Sequence, residues 1–259
     1  AFPLTVEKLG IVYTPVECVD FIIRSVDDIL KAEFNTSLTA HNVHILDPFV
    51  GTGTFITRLL QSGLICPEDM ERKYLNEIHC NEIVLLAYYI ADVNIESVFH
   101  EITRRKTYLP YSGICLTDTF QLAEKKHNEL FTEFFQDNSK RVKKQMATHV
   151  RVIVGNPPYS IGQKSANDNA QNTVYPAMEK RLSETYTKRS LAGLSKSTYD
   201  SYVKAFRWAS DRIPQNEGGI VAFISNGAWL DGIGQDGMRR CIEAVSYTHL
   251  RAHETLANL

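Results

Sequence analysis

Apolar runs short enough for strands alternate along this chain with stretches of helical length. NVHILD (42–47) is the first strong run, and a glycine loop and FITRLLQ (55–61), a short helix, follow it. EIHCNE (77–82) feeds IVLLAYYIADVNIE (83–96), an apolar helix expected to cover a sheet face. GICLTD (113–118) is the third run, followed by a long charged helical stretch over 122–146. VRVIVGN (150–156) is the fourth and GIVAFISN (219–226) the fifth. A charged helix is expected near 179–189, and DSYVKAFRWASDRI is amphipathic, with Tyr202, Phe206, Ala209 and Ile213 at helical spacing. CPEDMERKY (66–74) reads as one added short helix. This alternation predicts an α/β domain: a doubly wound, mostly parallel sheet with helices on both faces, Rossmann-like and without its last strands. No internal repeat is present. Between the fourth and fifth runs lies a polar insertion, SIGQKSANDNAQNTVYP (160–176), a surface loop by composition.

The carboxyl ends of the five runs carry Asp47, Glu82, Asp118, Asn156 and Asn226. One polar residue ending a strand is ordinarily a turn residue. Five in succession predict a shared crevice, because open α/β sheets bind ligands beyond the carboxyl ends of their strands.

The loop after the first run, DPFVGTGTFI, sharpens what that crevice would hold. Gly51 and Gly53 let backbone approach a ligand closely. Ile56 stands where a dinucleotide fingerprint needs its third glycine, and Asp47 precedes the loop where it would repel a pyrophosphate. A nicotinamide-dependent oxidoreductase is therefore disfavoured. An acid at that place suits a cationic ligand such as an α-amino group. Glu82, 29 positions past Gly53, still ends the second run and can hold two ribose hydroxyls, while Asp118 can accept a hydrogen bond from an adenine amine. An amino acid joined to adenosine describes S-adenosylmethionine.

Composition narrows the class without changing this picture. The chain has 259 residues, 44% hydrophobic and 22% charged, enough for one well-cored domain. No apolar run is long enough to span a bilayer, and AFPLTVEKLG does not read as a signal peptide. The five cysteines are scattered and never form a CxxC pair, so they read as reduced, mostly buried thiols of a cytoplasmic protein and not as a metal site. Net charge is −2, so any contact with nucleic acid would come from local patches.

DPFVGTGTF followed much later by NPPY resembles motifs I and IV of the amino-methyltransferases of DNA. LGIVYTPVECVDFI (9–22), placed ahead of motif I, resembles motif X in the γ-ordered N6-adenine enzymes. NEIVLLAYYIADVNIE, YDSYVKAFRWASDRI and GGIVAFISNGAWLDGIGQDGMRRCI are similar to the methyltransferase region of type ISP restriction–modification proteins, single-chain bacterial enzymes. The likeness spans residues 9–242. It implies an S-adenosylmethionine-dependent adenine-specific DNA methyltransferase acting on a base flipped from double-stranded DNA. It also implies nuclease, helicase-like and target-recognition domains on the same native chain. Carried over by position, Tyr13, Thr14 and Pro15 would hold the methionine end of the cofactor. Asp47, Pro48, Gly51, Thr52 and Gly53 match motif I, Glu82 and Ile83 motif II, and Asp118 motif III. Asn156, Pro157, Pro158 and Tyr159 match the catalytic tetrad.

The chemistry of that tetrad follows from its residue types. An exocyclic amine conjugated to a ring is a poor nucleophile. Two acceptors, the Asn156 side-chain oxygen and the Pro157 carbonyl, can take its two hydrogens and free its lone pair for in-line attack on a sulfonium methyl. The prolines fix φ and remove competing donors, and Tyr159 offers a ring for stacking an extruded base. No Pro-Cys dipeptide is present, which disfavours cytosine-C5 chemistry. Transfer to cytosine-N4, RNA or a protein glutamine, and a non-catalytic DNA-binding module, are the remaining readings.

Lesser features complete the picture. The basic runs SKRVKKQ (139–145) and RRK (104–106) read first as solvated helix faces and second as phosphate contacts. His41 and His44, without acidic or cysteine companions, read as surface residues, and Tyr202 and Phe206 as core or cofactor-adenine wall. Residues 1–244 form the methyltransferase domain in this reading. Residues 245–259, beginning VSYTHLRAHET, resemble the translation of a sequencing-adaptor end and read as a non-native tail, with the native protein continuing beyond the domain.

Overall fold

A computed structural model of the chain describes residues 14–124, 136–158, 174–192, 196–225 and 227–244. Tyr13, Tyr159, Asn226, most of the polar insertion and the tail 245–259 lie outside the described residues.

Five strands, β1 (His44–Asp47), β2 (Ile78–Glu82), β3 (Ile114–Leu116), β4 (Val150–Gly155) and β5 (Ile220–Phe223), form one sheet in the order β3-β2-β1-β4-β5. Every pairing is parallel. Ile45 faces Ile78 on one side and Val152 on the other, with an irregularity in the β1–β4 register between His44 and Ile45. The chain winds outward from β1 to β3, then returns to place β4 on β1's other edge. The strand order thus reverses between β1 and β4, where open α/β sheets form their ligand crevice.

Both sheet faces are covered, which is why these strands read as nearly continuous apolar runs. On one face Ile45, Val152 and Val154 pack with Val19, Ile23, Phe55 and Leu59 from helices α1 (Val16–Phe34) and α2 (Thr54–Gln61). Helix α3 (Leu85–Thr103) completes this layer with Ala91, Ile95 and Phe99. On the other face Leu46 and Ile153 meet Leu182, Val203, Ala205 and Trp208. These residues come from α5 (Pro176–Leu182) and α6 (Ser201–Arg212). Helix α4 (Gln136–Ala147) precedes β4, and α7 (Ala228–Asp231) and α8 (Asp236–Glu243) follow β5.

Local chemistry explains the element ends. Helix α1 starts after Pro15, carries Glu17 in its first turn and Lys31 in its last, and stops where Asn35 turns left-handed at φ 48°. Its buried face runs Val19, Ile23, Val26, Leu30 at helical spacing. The segment expected as an added short helix is Met70–Arg72 running into a wider π-helical turn, Lys73–Glu77. There buried Lys73 donates to the Ala40 and Val43 carbonyls and pairs with Glu77.

Several expectations are corrected. Of the helix expected over 122–146, Gln136–Ala147 is helical and Gln121–Ala123 forms a 3-10 turn, while residues 125–135 lie outside the described residues. Helix α3 covers a sheet face as expected, through Ala91, Ile95 and Phe99, while its other face is open. Leu86 is 63% and Val93 60% exposed, so its apolarity overstates its burial. His44 is not a free surface residue: it is stacked on His79 of β2, with Nδ1 3.0 Å from His79 Nε2. The run 139–145 is only partly a solvated face, since Gln145 is buried beneath it and Arg141 donates to the Tyr88 hydroxyl. Helices α1 and α8 escaped the apolar pattern. No helix among the described residues is long and apolar enough to cross a membrane.

Candidate active site

At the carboxyl edge of the sheet the structure brings together four of the five expected strand-end residues. Asp47 ends β1, and its Oδ1 accepts the Phe49 N–H at 3.0 Å. It is 1% exposed and forms no ion pair among the described residues. Burial, with Glu82 nearby, pushes its carboxyl up to about 8.

The glycine loop is tied to the next strand. The Val50 N–H donates to the Asn81 carbonyl at 3.0 Å, and the Gly51 N–H to Glu82 Oε2 at 2.9 Å. Gly51 and Gly53 hold φ of 56° and 93°, which side chains with a Cβ rarely adopt. A Cβ on Gly53 would sit 3.4 Å from the Ala91 backbone, so this glycine also lets the loop press on α3. The Thr52 carbonyl is held by Asn94 Nδ2 at 2.9 Å, and the Pro48 carbonyl by the Thr119 hydroxyl at 2.6 Å.

Glu82 ends β2 and accepts two further backbone N–H groups, from Ile83 at 2.9 Å and Val84 at 2.7 Å. Burial raises its pKa against the lowering pull of those bonds. A carboxylate has about four acceptor positions, so one remains beyond the three N–H groups. Ile83, beside it, is 50% exposed, leaving an apolar side chain at the crevice.

Asp118 lies two residues past β3, in a turn and not in the strand. Its Oδ1 accepts the N–H groups of Phe120 at 2.9 Å and Gln121 at 3.4 Å, and its Oδ2 accepts the Tyr175 hydroxyl at 2.7 Å.

Beta-4 delivers the remaining group. A Cβ on Gly155 would lie 2.7 Å from Asp47 Oδ1, so only glycine permits this approach of β4 to the β1 end. The Gly155 carbonyl accepts the Ile224 N–H at 3.0 Å, which fixes the strand's exit. Asn156 follows, half-buried, and its Nδ2 donates to Thr14 Oγ1 at 3.1 Å. Pro157 is buried and Pro158 exposed. Pro15 is the N-cap of α1, whose Asp20 is bonded to Arg58 of α2, so the segment that carries Thr14 is continuous with a helix tied to its neighbour.

Several participants were not foreseen from the sequence. Thr119 donates to the loop carbonyl and accepts from buried Asn81 at 3.1 Å. Phe49 packs on Phe120 and Phe223, with centroids 5.4 and 6.3 Å apart, and Phe120 meets Tyr175 edge-on. Of the expected aromatic pair, Tyr202 is buried in the core, whereas Phe206 lies edge-on to Phe223. The signals available were Phe49 inside the glycine motif and Tyr175 ending the polar insertion.

Comparisons with known proteins agree with this fold. The model of the Eco57I restriction-modification methylase family matches residues 76–252. A nuclease-deletion mutant of the type ISP restriction-modification enzyme LlaGI, solved with a DNA substrate mimic, superposes with a TM-score of 0.82 at 45% identity over 90% of this chain. The ATP-dependent type ISP enzyme LlaBIII bound to DNA gives 0.82 at 46% identity over 93%, and the DrdV–DNA complex 0.82 at 40% over 93%. The chain spans only 19%, 16% and 23% of those three proteins respectively. No curated protein matches it. By the family model, and in keeping with the parallel sheet and its strand-end site, the chain belongs to the Eco57I restriction-modification methylases.

Proposed function

We propose that the chain carries the catalytic site of an adenine-specific DNA methyltransferase using S-adenosylmethionine, one region of a larger restriction–modification enzyme. The observation that carries this reading is the place of Asn156–Pro157–Pro158. The segment leaves β4 at the sheet's switch point, against Asp47, with the Asn156 amide bonded to Thr14.

The described residues fit the cofactor. A buried acid with no cation beside it among the described residues, Asp47, suits an α-ammonium group, whose charge would favour the ionised carboxylate. Glu82 has acceptor capacity for a ribose hydroxyl, Ile83 an apolar side for a purine, and Asp118 a carboxylate for its amine. Pro48, Gly51, Thr52 and Gly53 shape the loop beside them, and Tyr13, Thr14 and Pro15 would close the methionine end. When bound, S-adenosylmethionine supplies an electrophilic methyl on a sulfonium.

The chain's own part is to present a nucleophile to that methyl. Asn156 Oδ1 and the Pro157 carbonyl accept the two hydrogens of the exocyclic amine and draw its lone pair out of conjugation. Pro157 and Pro158 offer no N–H to compete. Tyr159 stacks the extruded base. The LlaGI, LlaBIII and DrdV structures are complexes with DNA, which supports DNA as the substrate and further domains as partners.

The test is methyl transfer from labelled S-adenosylmethionine to unmethylated duplex DNA, RNA and glutamine peptides, with the products digested and identified by mass. N6-methyladenine from DNA is the expected product. N4-methylcytosine, or label only in RNA or peptide, would replace the reading.

A further inference from the structure

We propose that Tyr175 is a specificity-determining positioning residue: its hydroxyl anchors Asp118 so that the carboxylate selects a 6-amino over a 6-oxo purine in the cofactor. This rests on the assignment of Asp118 to the cofactor's adenine.

Tyr175 stands at a junction. It precedes α5, where Pro176 opens the helix and the Glu124 carboxylate caps the Ala177 and Met178 N–H groups at 2.9 and 3.1 Å. Its ring is 6% exposed, edge-on to Phe120 and 5.4 Å from Lys204 Nζ. The phenol is thereby fixed between Phe120, Lys204 and the capped start of α5, and its O–H reaches Asp118 Oδ2 at 2.7 Å, an ordinary length for a hydroxyl on a carboxylate.

Asp118 sits in a turn, without a strand to hold it. Its Oδ1 is fixed by the N–H groups of Phe120 and Gln121, but those bonds alone leave the second oxygen unanchored. The Tyr175 hydroxyl supplies that anchor and occupies one acceptor position of Oδ2. About one position of the carboxylate remains, and it can only accept. An amine donates to it; a ring carbonyl would set acceptor against acceptor. A polar site built for one donor rejects the analogue that lacks it, provided its own groups cannot swing away. Tyr175 removes that freedom.

The experiment compares S-adenosylhomocysteine with S-inosylhomocysteine, which differ at purine position 6, by calorimetric titration of the wild-type chain and Tyr175→Phe. Phenylalanine keeps the ring packing and removes only the hydroxyl. Wild type is expected to prefer the adenosyl ligand. Tyr175→Phe should weaken adenosyl binding about tenfold and change inosyl binding less than about twofold. In an Asp118→Asn background, Tyr175→Phe should cost nothing further, since the hydroxyl acts through that carboxylate. Equal weakening of both ligands, or of neither, overturns the proposal, as does an undiminished cost in the Asp118→Asn background. A wild-type chain that binds neither ligand overturns the cofactor reading itself.

Discussion

Asn156 turns its amide NH2 onto the Thr14 hydroxyl, Nδ2 to Oγ1 at 3.1 Å, across 142 positions of chain. An amide has one donor end and one acceptor end. Holding the donor end on Thr14 directs the carbonyl oxygen to the opposite side, the orientation needed to accept a hydrogen from an amine. In the proposed mechanism the Thr14 segment would thus orient the Asn156 amide as well as border the cofactor.

Thr14→Val keeps the shape and removes the hydroxyl. The expected result is a fall of about tenfold in kcat with cofactor affinity changed less than about twofold. Single-turnover kinetics and equilibrium binding check it. Weakened cofactor binding at unchanged kcat would instead assign Thr14 to the cofactor alone.

Gly155→Ala tests the close approach of β4 to β1. Its new Cβ would lie 2.7 Å from Asp47 Oδ1, and relief requires the strand or the carboxyl to move. Overpacking of this kind costs about 1–3 kcal/mol. In an Asp47→Gly background the same substitution should cost much less, and a double-mutant cycle by thermal denaturation reads the coupling.

Most of this arrangement was legible in the sequence, for a physical reason. Strands covered on both faces are mostly apolar, so Asp47, Glu82 and Asn156 mark where β1, β2 and β4 end or leave the sheet, although β2 also buries His79 and Asn81. What escaped depended on pairings between distant positions. His44 looked exposed because its partner His79 is 35 positions away on the neighbouring strand. Tyr175 carried no periodic signal at the end of a polar insertion, and its role emerges only from its 2.7 Å bond to Asp118. Helix α3 was legible as a cover for the sheet, but composition does not reveal that its second face, with Leu86 and Val93, stays exposed.

Asp47 predicts a pH signature. Its carboxyl titrates at about 8 in the fold against 3.8 as an ordinary aspartate. The folded chain therefore holds a proton that the unfolded chain has released between these values. Stability contributed by that proton is present below pH 4 and is lost as pH rises through 8. Asp47→Asn, which does not titrate, should gain on wild type progressively from pH 5 to 9 in thermal denaturation, by at most roughly 4 kcal/mol over that range. A constant difference across that range would contradict the buried carboxyl.

The His44–His79 pair predicts the opposite slope. Burial lowers both rings, His79 to about 3, and His79 is depressed further by His44, Lys144 and Arg212, with Glu77 opposing. The unfolded chain takes up protons near pH 6.5 that the folded chain refuses. The contribution is fully present above pH 6.5 and lost as pH falls toward 3. His79→Gln should flatten the acid limb of the stability profile between pH 6.5 and 4, measured by urea denaturation.

In the proposed mechanism the Asn156 side chain activates the amine and is not needed for cofactor binding. Asn156→Ala should reduce methyl transfer to DNA by at least about a thousandfold, while S-adenosylmethionine binds the variant with a Kd within about twofold of wild type. Undiminished methylation by Asn156→Ala, measured by label transfer alongside that titration, would rule out this role for the Asn156 amide.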